Sequence, residues 1–204
     1  MTLSLRAFAA SLILLVCSAC SQDPADHEPV TQDSWIVDSA ASRVEYVSVK
    51  AGDVVEANHF EAVSGSVAPG GEARIAIDLA SVSTGIDIRD ERMRGIFFDT
   101  ASYPEALVTA QVDPAALAAL GPGDSRTMTL DGTLAIKGVA APFQAPVKVS
   151  RTGADTVLVE STAPVIVDAA DLELASGLAR LQQIAGLPSI SPLVPVTFSL
   201  NFTR

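Results

Sequence analysis

Residues 81–105, SVSTGIDIRDERMRGIFFDTASYPE, interrupt a chain that otherwise alternates apolar and polar residues. A turn at Thr84-Gly85 leads into the charged residues 89–92, and the aromatic pair Phe97-Phe98 follows. Residues 89–97 contain neither Gly nor Pro before Gly95, so the segment predicts about two helical turns. A short helix here would have to pack across one end, or against the outside, of whatever the surrounding strands form.

The chain on both sides of this segment has the period of two that is typical of β-strands. Apolar residues alternate with polar ones near the C-terminus, at Val194, Val196, Phe198, Leu200 and Phe202. The same pattern predicts strands over residues 43–49, 54–67, 75–79, 106–112, 130–136, 143–149 and 156–167. About eight or nine short strands joined by turns indicate an all-β domain, either a closed antiparallel barrel or a sandwich.

A second helix is predicted over residues 171–185. Asp171 is its expected N-cap, Gly186 its stop, and one face carries Leu174, Leu178, Leu181 and Ala185. The apolar face is explained more simply if the helix closes the core than if it acts as a gate.

Several ordered blocks resemble one known family. They are Trp35-Ile36-Val37-Asp38, residues 42–46 (SRVEY), the segment 81–105 and residues 131–138 (DGTLAIKG). Together they resemble the YceI-like family of periplasmic, lipocalin-like β-barrels that bind polyisoprenoid lipids. The resemblance runs from residue 35 to the C-terminus. It implies an antiparallel lipocalin-like β-barrel of about eight strands with one or two short helices, and an isoprenoid lipid as ligand.

The composition of the strands favours a cavity inside such a barrel. Eight strands enclose a space that side chains can just fill, or that can hold one small ligand. Aromatic residues make up 5% of the chain, and the strands are rich in small residues, so an apolar lumen is expected; a flattened sandwich is the alternative. The candidate lining residues are Tyr46, Phe60, Phe97, Phe98, Val108, Leu130, Leu134, Ile136, Phe143 and Phe198.

Two arginines of the interrupting segment are candidates for binding a phosphate or another polar head group at the mouth of the lumen. Arg89 and Arg94 are these candidates. The alternative is that residues 87–94 form a solvated charged loop with surface ion pairs, each of which contributes little to stability.

The N-terminus has the layout of a lipoprotein signal. Residues 1–19 carry one positive charge, Arg6, then an apolar run too short to span a bilayer. Cys17-Ser18-Ala19-Cys20 is similar to a lipobox, which would make Cys20 the acylated first mature residue; an ordinary cleaved signal with an incidental thiol is the alternative. Residues 20–34 are acidic and predict a flexible tether to a domain at 35–204. We expect periplasmic localisation with a lipid anchor. The anchor is expected in the outer membrane, because residue 21 is Ser and not the Asp that favours retention in the inner membrane.

Charge and residue types argue against several function classes. The net charge of −11 disfavours nucleic-acid binding. Both cysteines lie at the N-terminus, so the domain has no disulfide or thiolate nucleophile, and His59 is expected to be a structural or surface residue rather than a metal ligand. No Gly-x-Ser-x-Gly or nucleotide-binding motif is present. We therefore expect no enzymatic activity and no cofactor apart from a bound isoprenoid lipid or quinone.

Two functions of different classes remain. The first is carriage or sequestration of an isoprenoid lipid, of the quinone or polyprenyl phosphate type, in an apolar lumen. The second is a ligand-free interaction or stress-response domain tethered to the membrane. They differ in whether the lumen holds a lipid.

Overall fold

The computed structural model describes residues 33–204. The predicted signal peptide, Cys20 and nearly all of the predicted tether lie outside the described residues.

The described chain contains twelve strands, three α-helices, a π-helical turn and two 3₁₀ turns, Ser39–Ala41 and Leu79–Ser81. The strands are β1 Trp35–Val37, β2 Arg43–Lys50, β3 Val54–Phe60, β4 Val63–Val67, β5 Glu72–Asp78, β6 Val82–Ser83, β7 Glu105–Gln111, β8 Ser125–Ile136, β9 Val139–Arg151, β10 Thr156–Ser161, β11 Val165–Asp168 and β12 Leu193–Thr203. The helices are α1 Asp87–Arg92, α2 Pro114–Ala118 and α3 Ala175–Ala185, and the π-helical turn Met93–Phe98 follows α1.

The twelve strands form a closed, antiparallel, up-and-down barrel. Four of its eight members are each made of two consecutive strands, namely β1 with β2, β3 with β4, β5 with β6, and β10 with β11. The last strand closes the ring, since Phe202 pairs with Val37 of β1 and Phe198 pairs with Val44 of β2. The predicted barrel of about eight strands is confirmed, and the sandwich alternative is wrong.

Aspartate side chains cause two of the breaks between consecutive strands, namely the break between β1 and β2 and the break between β5 and β6. The Asp38 side chain accepts from the amides of Ala40 and Ala41, and the Asp78 side chain accepts from the amide of Ala80 at 2.8 Å. These local bonds compete with the sheet ladder and start a 3₁₀ turn at each site. Leu79, predicted as the end of a strand face, lies in the second turn, where it is 1% exposed.

One glycine is required where two paired strands approach closely. Gly65 of β4 has φ +139°, and a Cβ built on it would lie 2.2 Å from the carbonyl oxygen of Arg74 in β5. The backbones therefore approach at a distance that other residues would not allow.

The helices differ from the predictions in their boundaries. The predicted helical segment at 89–97 begins earlier, at Asp87, and continues as the π-helical turn. Asp171 as an N-cap is wrong, because Glu173 takes φ 55° and the helix begins only at Ala175. α2 was not predicted, although Asp113 caps it and Pro114 starts it, which is a recognised helix-initiating pair.

Candidate functional site

The barrel encloses a cavity of about 590 Å³. This volume lies within the range of roughly 300–1,000 Å³ that is typical of small-molecule sites. Its wall is formed by the inward side of every long strand, because alternate residues of a strand face the same side of a sheet. On β12 these residues are Val194, Val196, Phe198, Leu200 and Phe202, which are the apolar positions of the sequence alternation.

All the apolar side chains predicted from the sequence to line a lumen do line this cavity. They are Tyr46, Phe60, Phe97, Phe98, Val108, Leu130, Leu134, Ile136, Phe143 and Phe198. Their contact with a ligand stays a prediction.

A row of aromatic rings connects the barrel wall to the interrupting segment. The Tyr46 and Phe60 rings lie 5.5 Å apart, Phe60 and Phe98 lie 6.0 Å apart, and Phe98 meets Phe97 edge-on at 4.8 Å between centroids. Such offset and edge-to-face pairs are favourable beyond the area that they bury. The π-helical turn is thereby held against the inner wall.

The third helix closes one end of the cavity. Leu174, Leu178, Leu181 and Ala185 all line it, which is the face predicted from the helical spacing. Gly177 of α3 lies against Phe97, where a Cβ would come within 3.1 Å of the ring. α3 and the π-helical turn therefore pack together as one cover.

The cavity opens to solvent beside the tip of the β2–β3 hairpin. Val54, Ile86 and Ile88 line the cavity and are 47%, 45% and 53% exposed, respectively. Large apolar side chains that belong to both the cavity and the surface form an apolar rim at this mouth.

Polar residues cluster on the inner face of the hairpin near this rim. Tyr46, Ser48 and Lys50 of β2 alternate into the cavity, and Asn58 of β3 pairs with Tyr46 in the ladder. We call Tyr46, Ser48, Lys50, Glu56 and Asn58 the polar end. The rest of the wall is almost entirely apolar, so the site has one polar end and a long apolar body.

Glu56 holds this end together by accepting from two cations. Lys50 Nζ bonds to Glu56 Oε2, and Arg89 Nη1 bonds to the same oxygen at 2.5 Å from α1. The Lys50 hydrogen bond, with a further contribution from Arg89, lowers the pKa of Glu56 below its ordinary 4.5. The carboxylate therefore links the hairpin to α1 at neutral pH.

Tyr46 contributes a neutral phenol. Burial raises the pKa of Tyr46 far above its ordinary value, and the nearby Asp90 carboxylate raises it further. The hydroxyl therefore keeps its proton at any physiological pH.

The two predicted head-group cations have different surroundings. Arg89 lines the cavity and bonds to Glu56, whereas Arg94 does not line it and donates from Nη1 to the Ala80 carbonyl at 3.3 Å. Neighbouring Asp90 is 8% exposed and accepts from the Thr84 amide and hydroxyl, which fixes α1 to the preceding turn. The head-group role of both arginines stays a prediction.

Several polar residues of the cavity were missed by sequence reasoning. The larger ones are Lys50, Asn58 and Arg92, and the smaller ones, which also line it, are Ser48, Thr84 and Ser191. Ser48 and Lys50 follow Tyr46 at intervals of two, so strand alternation could have found Lys50. The spacing of three from Arg89 could have favoured Arg92 over Arg94 as the inward arginine, because residues three and four apart share a helix face.

Residues 33–204 contain no group of three or more His, Cys, Asp and Glu side chains placed to hold a metal ion. His59 is paired with Ser83 in the sheet, and its Nε2 lies 4.0 Å from a Glu61 carboxylate oxygen. In the same part of the chain, no helix has both the length and the apolar character needed to cross a bilayer.

The sequence matches the YceI-like domain over residues 35–202, which is the whole barrel. The chain belongs to the YceI-like family. A polyisoprenoid-binding domain from Saccharophagus degradans, implicated in plant cell wall breakdown, is 38% identical, with a TM-score of 0.81 over 83% of this chain and 98% of that one. The predicted resemblance is confirmed.

Two other solved structures share the fold at lower identity. BcnA from Burkholderia cenocepacia is 25% identical, with a TM-score of 0.59 over 81% of this chain and 98% of that one. The Campylobacter jejuni YCEI protein is 16% identical with a TM-score of 0.51 over 72% of this chain and 84% of that one, so it supports the fold alone. A comparison with curated proteins gives no match.

Proposed function

We propose that this YceI-like protein binds and carries, or sequesters, a long isoprenoid lipid of the quinone or polyprenyl phosphate type, without catalysing a reaction. The observation that carries the proposal is the apolar cavity of about 590 Å³, enclosed by a barrel that is 38% identical to a polyisoprenoid-binding domain. The isoprenoid chain would lie along the apolar body, and the head group would lie at the polar end.

Burial of the chain supplies the affinity in this proposal. Each methylene group transferred from water to an apolar site contributes about 0.8 kcal/mol before ordering costs. A few isoprene units therefore suffice for retention, with no strong polar contact. The aromatic row and α3 would shield the chain from water along most of its length.

The site supports binding better than acid–base catalysis. Tyr46 keeps its proton because its pKa is raised, and Glu56 is held as a carboxylate by Lys50 and Arg89. General acid–base work requires a group whose pKa lies near the working pH. Neither group meets that requirement.

We also propose that the protein works at a membrane, anchored through acylated Cys20 in the periplasmic leaflet of the outer membrane. The lipobox-like residues 17–20 and the acidic residues 20–34 support this, with the barrel at 35–204 as the tethered domain. A lipid-anchored carrier would keep its apolar rim close to the bilayer that holds its ligand.

The single tryptophan of the chain offers a direct test. Trp35 lines the cavity, so its fluorescence reports on the lumen. Titration with a short-tailed isoprenoid quinone should quench Trp35 saturably, at about one quinone per protein. Excess geranylgeraniol should reverse the quenching by competition. Quenching that rises linearly without saturation, or that geranylgeraniol does not relieve, would contradict a lumenal site.

A further inference from the structure

We propose that the polar end selects a neutral, hydroxyl-bearing isoprenoid, a polyprenol or a hydroquinone, through the side-chain oxygen of Asn58. This inference rests on the proposed function and specifies the head group that the same cavity accepts.

Asn58 is a buried amide with one unused acceptor. It is 3% exposed and lines the cavity, and its Nδ2 donates to Ser48 Oγ and to the Glu56 carbonyl, both at 3.2 Å. Its Oδ1 is buried and has no hydrogen-bond partner within residues 33–204. Leaving such a group unpaired is costly, and buried polar atoms are nearly always paired.

The orientation of the amide follows from its neighbours. A backbone carbonyl can only accept, so the atom facing the Glu56 carbonyl has to be the donating Nδ2. Rotating the amide by half a turn would place two acceptors against each other. The unused group is therefore an acceptor, and its missing partner is a donor.

The charges beside Asn58 argue against an anionic head group as that partner. The cations Lys50 and Arg89 are already bound to Glu56, so a phosphate would have to compete with this carboxylate and lie close to it. Phosphate oxygens are also mainly acceptors at neutral pH, so they cannot satisfy Asn58 Oδ1. The carbonyl oxygens of an oxidised quinone are also only acceptors, so they cannot satisfy Asn58 Oδ1 either.

Arg92 favours a phosphate head group instead, so the test includes a variant of this residue. Arg92 lines the cavity and has no carboxylate within 4.0 Å among the described residues. If a phosphate binds, Arg92 is its expected partner.

Three probes that share one chain separate these possibilities: geranylgeraniol, its methyl ether and its monophosphate. Binding is followed by Trp35 emission and checked by mass spectrometry of the probe that remains bound after gel filtration. For the parent protein we expect the alcohol to bind about tenfold more tightly than the ether, the size of effect that one buried hydrogen bond produces. The phosphate should bind more weakly than the alcohol.

Two variants locate the effect. Asn58→Leu replaces the amide by an apolar group of similar size and should bring the alcohol and the ether to equal affinity. Asn201→Leu is the matched control, because Asn201 donates to the Ala41 carbonyl and does not line the cavity. It should retain the tenfold preference. The ranking of the probes on the parent protein needs no variant and tests the inference even if Asn58→Leu does not fold.

Two results would overturn the inference while leaving the proposed function intact. One is equal binding of alcohol and ether to the parent protein. The other is tighter binding of the phosphate that is lost in Arg92→Gln. Failure of all three probes to bind would overturn the proposed function itself.

Discussion

Replacing Leu134 by Trp tests whether the interior of the barrel is open or filled. Leu134 lies on β8 between Val108 and Ala141 in the sheet, and it lines the cavity. In a filled core a residue this large would force neighbours out of place at a cost of roughly 1–3 kcal/mol. Because the cavity of about 590 Å³ lies in front of Leu134, we expect the indole to enter it and to cost less than about 1 kcal/mol.

The same substitution should weaken lipid binding. An indole that excludes about two or three carbons of the ligand removes about 2 kcal/mol of burial, or roughly thirtyfold in affinity. The assay pairs thermal unfolding with binding of a labelled isoprenoid. Leu120→Trp is the matched control, since Leu120 is buried but does not line the cavity. It should lower the melting temperature by roughly 2–12 °C. Equal destabilisation by the two variants, with unchanged lipid binding, would refute the open lumen.

Three further predictions concern the anchor, the polar end and the close approach of β4 to β5 at Gly65. Cys20→Ala should release the folded protein from membranes, because acylation supplies the membrane affinity; protein that still pellets with membranes after a high-salt wash would contradict this. Since the pKa of Glu56 is lowered in the folded state, its ion pairs stabilise the fold above the ordinary pKa of 4.5 and are lost as pH falls through the lowered folded value. Melting curves of Glu56→Gln and the parent should therefore differ at pH 7 and converge as the pH falls below 4.5 and through the lowered folded value, and a constant gap would count against the linkage. Gly65→Ala should destabilise by more than about 2 kcal/mol because its Cβ would meet the Arg74 carbonyl, whereas Gly95→Ala, with open space around it, should be nearly neutral in the same chemical denaturation.

The barrel was accessible from the sequence because its strands keep strict alternation. Val194 to Phe202 place every second residue inward, and the predicted lining residues that lie on strands face one cavity for the same reason. The helical face of Leu174, Leu178, Leu181 and Ala185 was equally readable from its spacing. Periodicity is a local property, so a single sequence reveals it without knowledge of the pairing.

The features that escaped prediction depend on contacts between distant segments. The choice between barrel and sandwich was open because alternation does not say which strands meet; Phe202 beside Val37 decides it. Asp171 has the chemistry of a cap, but the left-handed backbone at Glu173 delays the helix to Ala175. The ion pair between Glu56 and Arg89 was missed because the two residues meet only when the β2–β3 hairpin and α1 are both in place.

Extraction of noncovalently bound lipid tests the carrier function most directly. The full chain is purified from the membrane fraction of its native host, extracted with organic solvent, and the extract is analysed by mass spectrometry. Acyl chains attached to Cys20 would remain on the protein. We predict about one isoprenoid lipid per protein, and markedly less from Leu134→Trp prepared in the same way. An extract with no isoprenoid above the level recovered from an unrelated membrane lipoprotein would contradict the carrier function and favour a ligand-free interaction domain.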